Sequence, residues 1–143
     1  MKVRQILNSK GHEVATITAD QSVETAITEL NDRHIGSLVV VDGDGRLVGI
    51  VSERDVVRAM AEQGMELVGQ TVGDLMTTRV ITCGLDDDVT SVTVKMTEGR
   101  FRHVPVMDRG RLAGLISIGD AVKARIAELE HERSALRDYI SSG

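Results

Sequence analysis

A chain of 143 residues suffices for one compact domain or for two half-size units sharing a core, and 41% hydrophobic with 27% charged residues is globular composition, which excludes disorder. Phe101 and Tyr139 are the only aromatic residues and the net charge is −5, so neither base stacking nor a broad basic field is available for nucleic-acid binding. A single cysteine, no signal-peptide stretch at the start and no apolar run near the ~18 residues of a membrane span lead to the expectation of a cytoplasmic protein without membrane or nucleic-acid partners.

The opening Val3-Arg4-Gln5-Ile6-Leu7 is followed by a short β-rich segment, 14–18. Ser22 then stands where an N-cap belongs, ahead of Val23, Ala26 and Leu30 at helical spacing. Residues 38–41 form an apolar run suited to a buried strand. Asp42-Gly43-Asp44-Gly45 supplies the turn that joins it to a second strand, 47–51. A helix is predicted over Glu53–Gln63, and residues 64–73 form a link.

The same order then recurs. Val72-Gly73-Asp74-Leu75-Met76 answers the opening, 80–83 is β-rich, and Asp88 precedes Val89, Val92 and Met96. Strands 104–107 and 112–116 flank the turn Asp108-Arg109-Gly110, and a helix begins at Ile118. Gly49-Ile50-Val51-Ser52-Glu53-Arg54-Asp55 lies over Gly114-Leu115-Ile116-Ser117-Ile118-Gly119-Asp120, with Gly, Ser and Asp repeated. The chain is a tandem duplication. The last helix outruns its counterpart, and residues 127–143 have no equivalent in the first copy. Val122, Ile126, Leu129, Leu136 and Ile140 make a stripe interrupted at Arg133, for packing back on the repeats or on another subunit.

The Gly-h-h-Ser-x-x-Asp pattern, at a strand end and a helix start, is the main carrier of chemistry. Free N–H groups at a helix start favour a phosphate, a serine adds a donor, and a carboxylate can accept from both ribose hydroxyls. Ser52 with Asp55 and Ser117 with Asp120 are therefore candidates, although Ser-x-x-Asp is also a self-sufficient helix cap. Arg100-Phe101-Arg102-His103 adds charge-assisted donors where the first copy has only His34-Ile35-Gly36-Ser37, so the second copy reads as the more anion-seeking.

Other signals fail on chemistry. The acidic turn beginning at Asp42 lacks the ligands and central glycine of a calcium loop. Gly43-x-Gly45 leads into a strand, as no dinucleotide fingerprint does, and Asp86-Asp87-Asp88 suits a helix start. No nucleophile–base–acid set stands out, so no catalysis is expected.

The paired motifs, with Phe101-Arg102-His103-Val104-Pro105-Val106 and the duplicated element order, resemble a tandem pair of CBS domains, a Bateman module, and in particular small stand-alone bacterial proteins of that kind. The resemblance covers residues 1–125. It implies an α+β fold of two β-α-β-β-α repeats, 1–65 and 66–126, related by a pseudo-twofold axis, with 127–143 as a helical extension. It also implies an adenosyl ligand (AMP, ADP, ATP, NAD or S-adenosylmethionine), no catalytic cofactor or metal, a homodimer, and a separate regulated protein as partner.

Carried over by position, Asp55 and Asp120 would take ribose hydroxyls, and Ser52 and Ser117 the phosphate, with Arg54 and Gly119 beside them. Thr16, Ile17, Thr82 and Cys83 would line the adenine. Ile35, Gly36, Ser37, Arg102, His103, Val104 and Pro105 would form the opposite walls. The alternative is a dimerisation module whose motifs only cap helices.

Overall fold

A computed structural model describes residues 1–142. Two three-stranded sheets carry the duplication. In the first, β1 (Thr16–Thr18) runs parallel to β2 (Ser37–Val41), which pairs antiparallel with β3 (Leu47–Ser52). In the second, β4 (Cys83–Gly84), β5 (His103–Asp108) and β6 (Arg111–Ser117) repeat that order. Even the irregularities repeat: the register shifts between Val40 and Val41 and again between Val106 and Met107.

Helices α2 (Val23–Arg33) and α5 (Val89–Gly99) occupy equivalent places after the first strand of each sheet. Both end in a left-handed residue, His34 (φ 53°) and Arg100 (φ 57°), which stops the helix and turns the chain into the next strand. The hairpins lead into α3 (Glu53–Gln63) and α6 (Ile118–Ser142). A 3₁₀ helix, Gly64–Gly69, begins the link between repeats.

Two further helices are absent from the β-α-β-β-α expectation. Val3, Ile6 and Leu7 are buried on one side of α1 (Val3–Lys10), and Thr71 and Asp74 form a capping box on α4 (Val72–Leu75). Each packs across the duplication. Val3, Ile6 and Leu7 join Cys83, Val92, Met96, Val104, Val106 and Ile116 in the second repeat's core. Val72 joins Ile17, Ala26, Leu38, Val40 and Val51 in the first. This exchange lays the segment after α1 along the second repeat, and the segment after α4 along the first. Thr77 accordingly trades backbone hydrogen bonds with Ile50, at 2.8 and 3.0 Å.

Candidate functional site: a basic cleft between the repeats

The turn from β3 into α3 is built by its own sequence. The Ser52 N–H donates to Asp55 Oδ2 (2.9 Å), the Ser52 hydroxyl donates to the same oxygen (3.1 Å), and the Asp55 N–H donates back to Ser52 Oγ (3.3 Å). The turn from β6 into α6 repeats this, with Ser117 N–H to Asp120 Oδ2 at 2.9 Å and Asp120 N–H to Ser117 Oγ at 3.1 Å. Both motifs are thus working helix caps, and each leaves carboxylate Oδ1 without a hydrogen-bond partner among the described residues.

What surrounds the two caps differs. Ser52 and Asp55 open into a cleft of about 500 Å³ whose other wall belongs to the second repeat. That wall consists of Thr77, Arg79, Val80 and Ile81 on the approach to β4, and Gly99 to His103 at the turn from α5 into β5. Arg54, Arg58, Arg79, Arg100 and Arg102 all line it, against the acids Glu53 and Asp55. None of the five arginines has a carboxylate partner among the described residues. Arg54 instead clamps the repeats together, its Nη1 donating to the Arg100 carbonyl at 3.0 Å. On a chain of net charge −5 this is a concentrated positive site.

Apolar wall is supplied by Ile50, Val80, Ile81 and Phe101, and the Phe101 ring lies directly over Gly99, where a Cβ would collide with it. Gly36 serves in a similar way: a Cβ there would stand 3.1 Å from the His103 ring. Burial pushes the His103 imidazole below its ordinary pKa, against the pull of Glu53, so the ring favours its neutral form.

At the second cap Lys10 fills the corresponding position. Aligning the two openings, Val3 on Val72, makes Lys10 the counterpart of Arg79. Where Arg79 is unpaired, Lys10 Nζ donates to Asp120 Oδ2 at 2.7 Å and to the Leu115 carbonyl at 2.8 Å. Burial alone would raise the Asp120 carboxyl. The Lys10 hydrogen bond and charge, with the Ser117 N–H, more than offset that and hold it below the usual range.

The expected site residues therefore separate. Gly36, Ser52, Arg54, Asp55, Arg102 and His103 meet in one cleft, while Ser117, Gly119 and Asp120 stand outside it. The basic turn of the second copy serves the cap of the first, where adjacency in sequence had assigned it to Ser117 and Asp120. Ile17, Ser37, Cys83, Val104 and Pro105 are buried, and Thr16, Ile35 and Thr82 also lie outside the cleft wall. The Cys83 thiol is pushed up to about 11 by burial and by the nearby Asp87 charge. Ser37 Oγ is buried without a hydrogen-bond partner among the described residues. Arg58, Arg79, Val80 and Ile81 were not anticipated. Arg58 follows Arg54 by one helical turn, a signal the sequence does carry; the other three depend on the cross-packing of α4.

The sequence profile of the CBS domain matches twice, over residues 3–62 and 72–127. The chain belongs to the CBS-domain family. It is 46% identical to the CBS-domain containing protein ATU1752 from Agrobacterium tumefaciens, with a TM-score of 0.86 over 87% of this chain and 99% of that one. It is 34% identical to the mitochondrial CBS domain-containing protein CBSX3 of Arabidopsis thaliana, over 99% of this chain and 72% of the plant protein. The CBS-domain pair of protein MJ0100, solved in complex with 5'-methylthioadenosine and S-adenosyl-L-methionine, superposes with a TM-score of 0.75 at 28% identity, over 90% of this chain and 98% of that one. The two sheets of this CBS-domain pair are thus a family architecture, and adenosine-containing ligands are bound within the family. No helix among the described residues is long and apolar enough to cross a membrane.

Proposed function

We propose that this CBS-domain pair is a non-catalytic cytoplasmic sensor of a phosphate-bearing adenine nucleotide (AMP, ADP, ATP or NAD), acting as a homodimer on a separate partner protein. The observation that carries this is one cleft lined both by five arginines and by Asp55, whose Oδ1 has no hydrogen-bond partner among the described residues. Asp55 accepts from the ribose hydroxyls. The arginines hold phosphate by charge-assisted hydrogen bonds, with the positive end of the α3 dipole beside them.

With no aromatic pair for a sandwich, the base rests among Ile50, Val80 and Ile81 with Phe101 on one side. The excess of positive charge disfavours a sulfonium ligand, so the adenosyl chemistry seen in MJ0100 is retained here with an anionic tail. Regulation requires that the nucleotide prefer one of two states of the module; ligand-driven rearrangement of the clamp between Arg54 and Arg100 is the natural difference.

Thermal melting with AMP, ADP, ATP, NAD, 5'-methylthioadenosine and S-adenosylmethionine tests this. A ligand at a hundred times its Kd stabilises by about 2.7 kcal/mol, a shift of roughly 5–10 °C at this length. The phosphate-bearing compounds should shift the melt and the two without phosphate should not. The rival reading, a dimerisation module, draws on the two completed capping boxes, which need no ligand. A melt indifferent to all six compounds would establish that rival.

A further inference from the structure

The last helix extends well beyond the folded body. Ala121 is its one buried residue, and every residue from Leu129 to Ser142 is exposed. An isolated helix of such length is marginal in water, so contacts with another chain are the expected source of its order. Its apolar positions are spaced for that. Val122, Ile126, Leu129, Leu136 and Ile140 are each 46% to 68% exposed, and with Arg133 they fall at alternating steps of four and three. That is a heptad seam with Ile126, Arg133 and Ile140 at a positions and Val122, Leu129 and Leu136 at d positions.

The charges beside the seam select the occupant. Arg125 and Glu132 occupy g positions, and Lys123, Glu130 and Arg137 occupy e positions. In a parallel pair of identical helices, g faces the e position of the next heptad on the other copy. Arg125 then meets Glu130, and Glu132 meets Arg137, each twice by symmetry. An antiparallel pair overlapping the same stripe opposes Glu130 to Glu130, Glu132 to Glu132 and Lys123 to Arg137. All three are repulsive. Arg133 at a, beside the other copy's Glu132, disfavours slipped registers and larger bundles, as a polar a residue does.

We infer that α6 pairs with α6 of a second copy of this chain as a parallel two-stranded coiled coil in register, holding two CBS-domain pairs at the same end. The inference stands independently of any nucleotide.

The test uses the full chain carrying Leu136→Cys, with Asp138→Cys as the outward-facing control. Mild oxidation should convert Leu136→Cys rapidly to a disulfide dimer and leave Asp138→Cys largely monomeric on a denaturing gel. Cys83 is buried and contributes no background. Sedimentation of the wild-type chain should give a dimer. Glu130→Arg with Glu132→Arg should weaken dimerisation roughly 10-fold or more, and adding Arg125→Glu with Arg137→Glu should restore it. A monomeric wild type, a failure of Leu136→Cys to cross-link, or a dimer indifferent to the charge reversals would each overturn the inference.

Discussion

Replacing Asp55 by alanine removes the carboxylate oxygen to which both the Ser52 N–H and the Ser52 hydroxyl donate, at 2.9 and 3.1 Å, and with it the Oδ1 that the cap leaves over in a residue lining the cleft. The two losses differ in size. Losing the cap costs about 1 kcal/mol, which for a chain of this length lowers Tm by roughly 2–5 °C. Losing hydrogen bonds from two ribose hydroxyls to a charged acceptor, at about 1.5–3 kcal/mol each, weakens nucleotide binding by roughly two to four orders of magnitude. The chain supplies its own control. Asp74 makes an equivalent box with Thr71, the Thr71 N–H and hydroxyl donating to Asp74 Oδ2 at 3.1 and 3.0 Å, and lies outside the cleft. Calorimetric titration and scanning calorimetry of Asp55→Ala and Asp74→Ala should therefore show similar losses of stability, with binding lost in the first alone. If the two variants melt alike and both bind the nucleotide within about threefold of wild type, Asp55 is a cap only and the ribose role is wrong.

Lys10→Ala should release Asp120. Because the folded carboxyl lies below its unfolded value of 3.8, the pair contributes stability above that value and loses it as pH falls through the folded pKa; urea unfolding across the acid range should show this contribution in the wild type and not in the variant. His103 acts with the same sign in a higher pH window. Burial keeps it neutral in the folded state, so stability should decline as pH drops below 6.5 and the unfolded chain takes the proton, and His103→Gln should flatten that slope. A bound phosphate should raise the His103 pKa, making nucleotide affinity rise as pH is lowered through the same window, as calorimetric titration at several pH values would measure. Cys83, buried with its thiol pushed up to about 11, should resist an aqueous disulfide reagent in the native chain and react on unfolding.

The fold was legible where the duplication repeats local chemistry: turn residues after β2 and β5, apolar helix faces, and Ser-x-x-Asp at two helix starts. Helix α1 was less so, since Val3, Ile6 and Leu7 present a helical pattern too short to separate from a repeat opening. Its destination was invisible, because nothing local says that Leu7 will pack beneath Gly114, where a Cβ would stand 2.7 Å from its methyl groups. The same limit governed the site. Ser52, Asp55, Arg102 and His103 could be picked out by residue type, but which pair faces which depends on contacts between segments some fifty residues apart. Ile17 and Cys83 illustrate a complementary limit. They occupy the right segments, yet strand alternation turns their side chains into the cores, leaving the cleft wall to neighbours such as Ile81.

Duplication followed by divergence explains why one cap carries the basic cleft. Crossing of the repeats sets each cap beside residues of the other copy, so a change in one copy alters the surroundings of the other's cap. Arg100, Arg102 and His103 in the second copy correspond to His34, Gly36 and Ser37 in the first, and all three of the former line the Asp55 cleft. Gly36 is more than a missing arginine, since its bare Cα makes room for the His103 ring. Lys10 and Arg79 complete the contrast, the first engaged by Asp120 and the second left open beside Asp55. A nucleotide reaching Asp120 must displace an ammonium held by a carboxylate and a backbone carbonyl, whereas one reaching Asp55 meets five arginines with no carboxylate to give up. Under the nucleotide reading proposed above, the energetic difference between those two events should make the Asp55 cleft the first to fill.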